Sequence, residues 1–595
     1  MEICYLKPLW RLIKNIPPRM DDFSLNKFSE WLFSPFLSYS EHPMIFTEYP
    51  FWIFFLFVLI GYGLIHSKMR LRSIFLFFAS LFFYFKTSGF FFSILLFSTV
   101  ADFYIGKAIY ISKKDLNAKI LLGLSVSINL IILIYFKYAY FFADSFNSII
   151  GSQWHPINHF ALFTNQVTGS SFRVDQILLP IGISFYTFQT MSYAIDIYRK
   201  QLNPVKSIFD FGFYVSFFPQ LVAGPIVRAS EFIPQIYQPY KVTKKEFGLA
   251  LFWIINGLLK KFLLADYIAV NFIDRVFDNP VMFSGFENLM ALYGYSLQVY
   301  ADFSGYTDIA IGIALMLGFR LPKNFNSPYK ADNCGEFWKR WHISLSSWLK
   351  DYLYIPMGGN RGGSIFSYVA LSMIVIFIYL ISGSLALLFG IISVIFTTLL
   401  LGEISPKFNK WYLTNINIML TMLIGGLWHG ASWNFVLWGG LNGIGIVVYK
   451  LWKNVSPWKN KSKWWNKILG VIITFNFVTF TRIWFRTGSN NSWDQMDEGH
   501  NIISEWFAAN EILNQLIFNF KWSLISDVLV VYSNVFLVII LGFLIHFIPE
   551  DWKFWYRDKF SNSPVLVQLG VCFVAIFFMY QIASVSLQPF IYFQF

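Results

Sequence analysis

Residues 425–438 read GGLWHGASWNFVLW, and no Asp, Glu, Lys or Arg interrupts the chain between Lys410 and Lys450. A run of that length and composition is enough for a bilayer-crossing helix, which needs about 20 apolar residues. His429 lies inside it. An ionisable side chain at membrane depth is costly and normally faces a protein interior or a water-filled path, so its position makes it a functional candidate. Gly425, Gly426 and Gly430 remove bulk around the imidazole. That permits close helix packing or the close approach of another molecule's reacting atoms. Taken alone, a single buried histidine is more simply a core residue hydrogen-bonded to a carbonyl.

The composition extends this reading outward. Of 595 residues, 56% are hydrophobic and 13% charged, and 70 are Phe. A water-soluble domain carries about a quarter charged residues, so the chain is expected to be an all-α polytopic membrane protein. Its net charge of +13 points to cytoplasmic loops and anionic membrane lipids, not nucleic acid. Cys4, Cys334 and Cys572 have no CxxC spacing, which indicates neither a disulfide framework nor a thiolate metal site.

Basic clusters set the orientation. Lys68, Arg70 and Arg72 follow a first apolar segment at 51–65, Lys107 to Lys119 follow segments at 73–85 and 89–106, and Arg199, Lys200 and Lys206 follow a segment at 177–198. These loops are predicted to be cytoplasmic. After a segment at 120–143, the polar stretch 144–176 has Arg173 as its one Lys or Arg, so it reads as external. Residues 1–43 look like an appendage, and Met44 offers an alternative start; the main domain is 44–595. Segments at 208–223, 248–264 and 286–318 are interrupted by Pro219, Gly224, Pro225, Asn256, Asp302 and Asp308, a pattern expected of broken helices lining a cavity. Later apolar segments, a Trp-rich basic linker at 458–467 and a polar loop at 487–521 complete a total of about 11–13 transmembrane and re-entrant helices.

A second polar island spans Asn333 to Gly363. Asn333 and Glu336 resemble a capping pair. Trp338, Trp341, Leu345, Trp348 and Tyr352 recur at three- and four-residue spacing, which predicts one aromatic helix face. Lys339, His342, Ser346 and Lys350 fall on another. The helix yields at Pro356 to GGNRGG, 358–363. There Gly358 and Gly359 are able to turn amides inward around an anion, with Lys350 and Arg361 nearby; a simple re-entry turn explains the glycines equally well. Upstream, Asp302 and Asp308 in YADFSGYTD lie six residues apart and share no helical face. Either one is placed to orient a histidine or bind a lysine.

The combination EFWKRWHISLSSWLKDYLYIPMGGNRGG, GGLWHGASWNFVLWGGLNG, YADFSGYTDIAIG, FFPQLVAGPIVR and the closing PFIYFQF resembles the membrane-bound O-acyltransferase family, within it the alginate and peptidoglycan O-acetylating branch. The resemblance implies a ring of helices around a central funnel. His429 matches the family's central catalytic histidine, and His342 the upstream polar residue of the pair.

It further implies acyl transfer, most simply of acetyl, from acetyl-CoA or another cytoplasmic acyl thioester to hydroxyls of an exported polysaccharide, directly or through an external acetyltransferase partner, in the inner membrane of a bacterium. No tightly bound cofactor is expected. His429 is expected to act as general base, because histidine titrates nearest neutral pH. His342 would polarise the thioester carbonyl or aid proton transfer. Trp428, Trp433 and Asn434 are expected as walls and orienting groups, with Asp302, Lys350, Gly358, Gly359 and Arg361 as further substrate contacts. A covalent acyl-histidine relay, another acyl group, a peptidoglycan, teichoic-acid or lipid acceptor, and a non-catalytic transporter stand as alternatives. A metal site from His342, His429 and Asp302 has no recognisable ligand spacing.

Overall fold

The computed structural model describes residues 44–169, 173–382, 384–457, 463–488, 502–582 and 590. The extension 1–43, half of the Trp-rich linker, residues 489–501 of the polar loop and most of PFIYFQF lie outside the described residues. Among the described residues the chain is helical, without strands, as expected where lipid offers the backbone no hydrogen-bond partners. Six helical stretches are long and apolar enough to cross a membrane, or seven if Trp522–Val531 and Ser533–Phe547, bent by 87° to one another, form one span. Phe78, Phe97 and Ile131, which lie in these stretches, are all more than half exposed. On a soluble protein such residues would make adhesive patches; on a spanning helix they face acyl chains.

The elements that position the site are α1 Tyr49–Ile65, α2 Met69–Ser88, α3 Phe92–Ile111 and α4 Asp115–Leu133. A π-turn, Ile134–Tyr138, carries α4 into α5, Ala139–Ile150. The segment expected to begin near 177 becomes helical only at Ile183, because Gly182 takes φ +79°; α6 is Ile183–Tyr198. The segment at 208–223 is broken, as expected, into Ile208–Ser216 and Phe218–Leu221.

Helix α7, Lys244–Leu259, opens on a capping box made by Thr243 and Glu246, the reciprocal arrangement that satisfies two otherwise orphaned amides. Ser284 and Glu287 repeat it at the start of α8, Gly285–Met316. Contrary to the interruption expected at 286–318, α8 is continuous over 32 residues. Its carboxylates do not break it because each is answered from the segment after α7. Lys260 meets Asp308 at 2.7 Å, and Lys261 meets Asp302 at 2.7 Å and Asp266 at 2.8 Å. Helix α8 is buried almost throughout its second half and packs against α7 and the 260–266 π-turn. It forms the mast on which the site is built.

Beyond it come two short helices, α9 Cys334–Arg340 and α10 Ile343–Leu349. The long helices α11 Pro406–His429, α12 Trp433–Val455 and α13 Trp464–Gly488 follow, and a charged helix, α14, spans Glu550–Asn562.

Candidate functional site

His429 is the last residue of α11, and Gly430 leaves the helix in an extended conformation. A helix end exposes carbonyls that have no intrahelical donor. Here three successive ones are taken from the α4–α5 junction. Tyr138 Oη donates to the Leu427 carbonyl at 2.9 Å, and Lys137 Nζ donates to those of Trp428 at 2.7 Å and His429 at 3.2 Å. The imidazole is buried among Trp428, Trp438 and Phe485, with ring centroids 5.1, 5.0 and 5.7 Å away.

The helix expected to run unbroken through the second polar island is interrupted at His342. Its φ of +46° and ψ of +55° place it in the left-handed region between α9 and α10. The break is held from both sides. Ile343 N donates to the Asn324 carbonyl at 2.9 Å, Ser344 N to Asn324 Oδ1 at 3.1 Å, and Asn326 N to the Arg340 carbonyl at 2.9 Å. His342 therefore shares no face with Lys339 and Lys350, which are exposed while it is fully buried. Its ring lies edge-on to Phe303 of α8 at 4.6 Å, 5.7 Å from Trp428 and 6.1 Å from His429. The structure thus brings together two histidines that are far apart in sequence. The Asn333 cap on Glu336 N is present at 2.8 Å, but the Glu336 carboxylate turns to Arg340 at 3.0 Å rather than back to the cap.

The other candidates divide. Trp428 walls both histidines. Trp433 Nε1 donates to Ser145 Oγ at 3.2 Å and its ring meets Phe141 at 5.1 Å, so it ties α12 to α5. Asn434 Nδ2 donates to Thr487 Oγ1 at 2.9 Å and links α12 to α13. Asp302 of α8 belongs to the triad centred on Lys261 of the 260–266 π-turn.

The amides of Gly358, Gly359 and Arg361 do not converge on an anion. They donate to the carbonyls of Ile355, Tyr354 and Gly358. Asn417 Nδ2 holds two more carbonyls of the turn, those of Gly359 and Gly362, at 3.2 and 2.9 Å. Twelve residues of α11 separate Asn417 from His429, ~18 Å at about 1.5 Å per residue. Arg361 and Lys350 are exposed at that lower level. Lys137, Trp438 and Phe485 were not singled out by the sequence reading. Lys137 was detectable there as a lone cation within the apolar run 120–143.

One cavity reaches His429 and a second ends one ring short of His342. The first, about 340 Å³, is lined by Ser88, Pro180, Ser184, Lys137, Trp428 and His429. Ser88 ends α2, whose opposite end carries the basic cluster around Arg72, so this cavity lies at the end of α2 away from that cluster, on the side of the 144–176 stretch, which the charge pattern predicts to be external. The second, about 300 Å³, is lined among others by Trp253, Lys323, Asn324, Phe325, Lys553 and Arg557. Phe325 touches Phe303 at 5.0 Å, one ring from His342. The elements assigned to the cytoplasm gather on this second side. Arg72 donates to the carbonyls of Ile236 and Gln238, Arg199 to that of Asp351, and Arg228 pairs with the Asp351 carboxylate. Tyr62, near the end of α1 that leads into the Lys68–Arg72 cluster, donates to the Leu317 carbonyl at 2.8 Å, just ahead of Lys323.

Comparison with known proteins bears on what such a pair does. A family model described as MBOAT, membrane-bound O-acyltransferase family, matches residues 199–383. The chain is 31% identical over 534 residues to the peptidoglycan O-acetyltransferase of Helicobacter pylori, across 83% of this chain and 88% of that protein. It is 36% identical over 408 residues to the probable alginate O-acetylase of Azotobacter vinelandii, 68% of each chain. It is 26% identical over 312 residues to the teichoic acid D-alanyltransferase of Bacillus subtilis, 50% of this chain and 67% of that one.

Proposed function

From the premise that the chain belongs to the membrane-bound O-acyltransferase family, we propose that it moves an acetyl group from a cytoplasmic thioester to a hydroxyl of an exported polysaccharide. It is a multi-pass membrane acyltransferase; the donor, the acceptor class, a bacterial inner-membrane location and the roles of the residues are our reading. The observation that carries it is the pair His342 and His429, 6.1 Å apart, with one cavity lined by His429 and a second lined by Phe325, whose ring touches the Phe303 ring beside His342. A carrier that only moved a group across would need no such meeting point.

In this scheme the thioester enters by the cytoplasmic cavity, past Lys323, Lys553 and Arg557, and brings its carbonyl carbon between the two rings. Lys350 and Arg361 add to the positive field on that face and attract an anionic donor, while the glycines of the turn serve the fold. The acceptor hydroxyl arrives through the external cavity. Its oxygen attacks the carbonyl carbon as His429 takes the hydroxyl proton. His342 polarises the carbonyl oxygen as charge develops on it. The C–O bond forms, the C–S bond breaks, and the leaving sulfur takes up the proton. The relatives are named for acting on peptidoglycan, alginate and teichoic acid, which supports a surface polymer as acceptor.

Replacing His429 by Ala tests the assignment. With the variant present in the membrane at its normal level, acetyl ester on the cell-surface polysaccharide falls by about 10² to 10⁴, the usual contribution of a positioned base. Undiminished ester would remove His429 from the chemistry.

A further inference from the structure

Lys137 belongs to a cavity wall and to a helix end at once. Its Nζ donates 2.7 Å to the Trp428 carbonyl and 3.2 Å to that of His429, with Ser184 Oγ at 3.5 Å. The next residue, Tyr138, donates to the Leu427 carbonyl. Both come from the π-turn Ile134–Tyr138. A π-turn accommodates an extra residue and recurs at functional positions; this one turns two consecutive side chains onto one helix terminus. Lys137 is 5% exposed, and a buried amine in a spanning segment is costly unless it is used. None of these bonds goes to a carboxylate. Its partners are backbone carbonyls of the two residues whose side chains wall the proposed reaction centre.

We propose that Lys137 is a positioning residue for His429: as the C-cap of α11 it fixes where the imidazole stands in the external cavity. The helix does not end in the usual way. Gly430, in the position where a left-handed glycine commonly closes a helix, is extended at φ −161°, and its own amide makes no capping bond back into the helix. The cap therefore comes from another element. With the cap removed, the last turn of α11 is free to fray, and His429 lies on that turn. A shift of about 1 Å in a reacting group can cost about 10²-fold in rate.

The inference rests on His429 being the base, and the test separates the two. Acyl transfer is measured with purified full-length protein, an acyl thioester and a soluble oligosaccharide, for H429A, K137M, K137R and the double variant K137M/H429A. Native-like melting in detergent is required of each. Expected are a fall of about 10²-fold in kcat for K137M with KM for both substrates unchanged, at least tenfold recovery in K137R, and a double variant no slower than H429A alone. Groups acting through one another are non-additive in this way. Undiminished rates in H429A would defeat the functional reading itself. If H429A is slow, the positioning role is overturned by wild-type kcat in K137M, by a raised acceptor KM at unchanged kcat, by no recovery in K137R, or by a further full loss in the double variant. If K137M does not fold, K137R against K137R/H429A supplies the same comparison: a further loss in that double variant beyond H429A overturns the proposal.

Discussion

His342 shows how much one residue's backbone contributes to the site. An L-residue in the left-handed region costs ~1–2 kcal/mol, and here that cost places the ring against Phe303 and 6.1 Å from His429. Two substitutions separate backbone from ring. His342→Asn keeps a side chain that tolerates positive φ, whereas His342→Val introduces a β-branched one that does not. Both are expected to lose acyl transfer by about 10²-fold or more, but only the Val variant should melt earlier in detergent. Equal melting would refute the backbone argument, and full activity in the Asn variant would refute the role of the ring. The sequence made both histidines visible as polar residues in apolar surroundings. It concealed their proximity, because periodicity extends a helix through Trp341 and His342 without registering the Asn324 bonds that break it. Lys137 was legible by the same argument as His429, an ionisable group in an apolar run. Its partners were not, since backbone carbonyls leave no trace in composition.

At the scale of elements, the glycines around His429 serve packing. A Cβ on Gly426 would stand 2.3 Å from the Phe435 carbonyl and 3.1 Å from Gly439 Cα, and one on Gly439 would stand 2.2 Å from the Met422 carbonyl. Helices α11 and α12 therefore meet backbone to backbone, as small residues allow in membranes. Gly425 and Gly430 face Leu349 and the Phe435 ring at 3.1 and 2.1 Å. The clearance is for this protein's own side chains; of the two uses open to the glycines in the sequence, helix packing is the one the structure shows. Overpacking such a contact costs ~1–3 kcal/mol. Gly426→Ala is expected to lower the melting temperature of the solubilised protein and, because α11 ends in His429, its acyl transfer as well. An unchanged melting temperature would mean the crossing is looser than these distances. Helix α8 shows the complementary failure of sequence reading. Asp302 and Asp308 looked like interruptions because their lysines lie some 40 to 50 residues earlier, where no local pattern pairs them.

For the whole molecule, the arrangement has meaning only if the two cavities face opposite compartments. Charge already implied this. The basic loops alternate with the lysine-free stretch 144–172, and the structure gathers Arg72, Arg199 and Arg228 on one side and the end of α2 with residues 177–182 on the other. Tyr84 Oη donates to the Ile181 carbonyl at 2.8 Å and Ile181 N to Ser88 Oγ at 3.1 Å, which fastens residues 177–182 beside the first cavity. In a background with Cys4, Cys334 and Cys572 replaced by Ser, single cysteines at Ser152 and at Lys113 report the two faces. A membrane-impermeant maleimide added to intact cells is expected to label Ser152→Cys, and Lys113→Cys only after permeabilisation. The reverse pattern would put the Lys137–His429 cavity in the cytoplasm and the cavity bearing Lys323 and Arg557 outside. The thioester would then have to enter where the acceptor hydroxyl is proposed to arrive, so transmembrane transfer in the proposed direction depends on this labelling result.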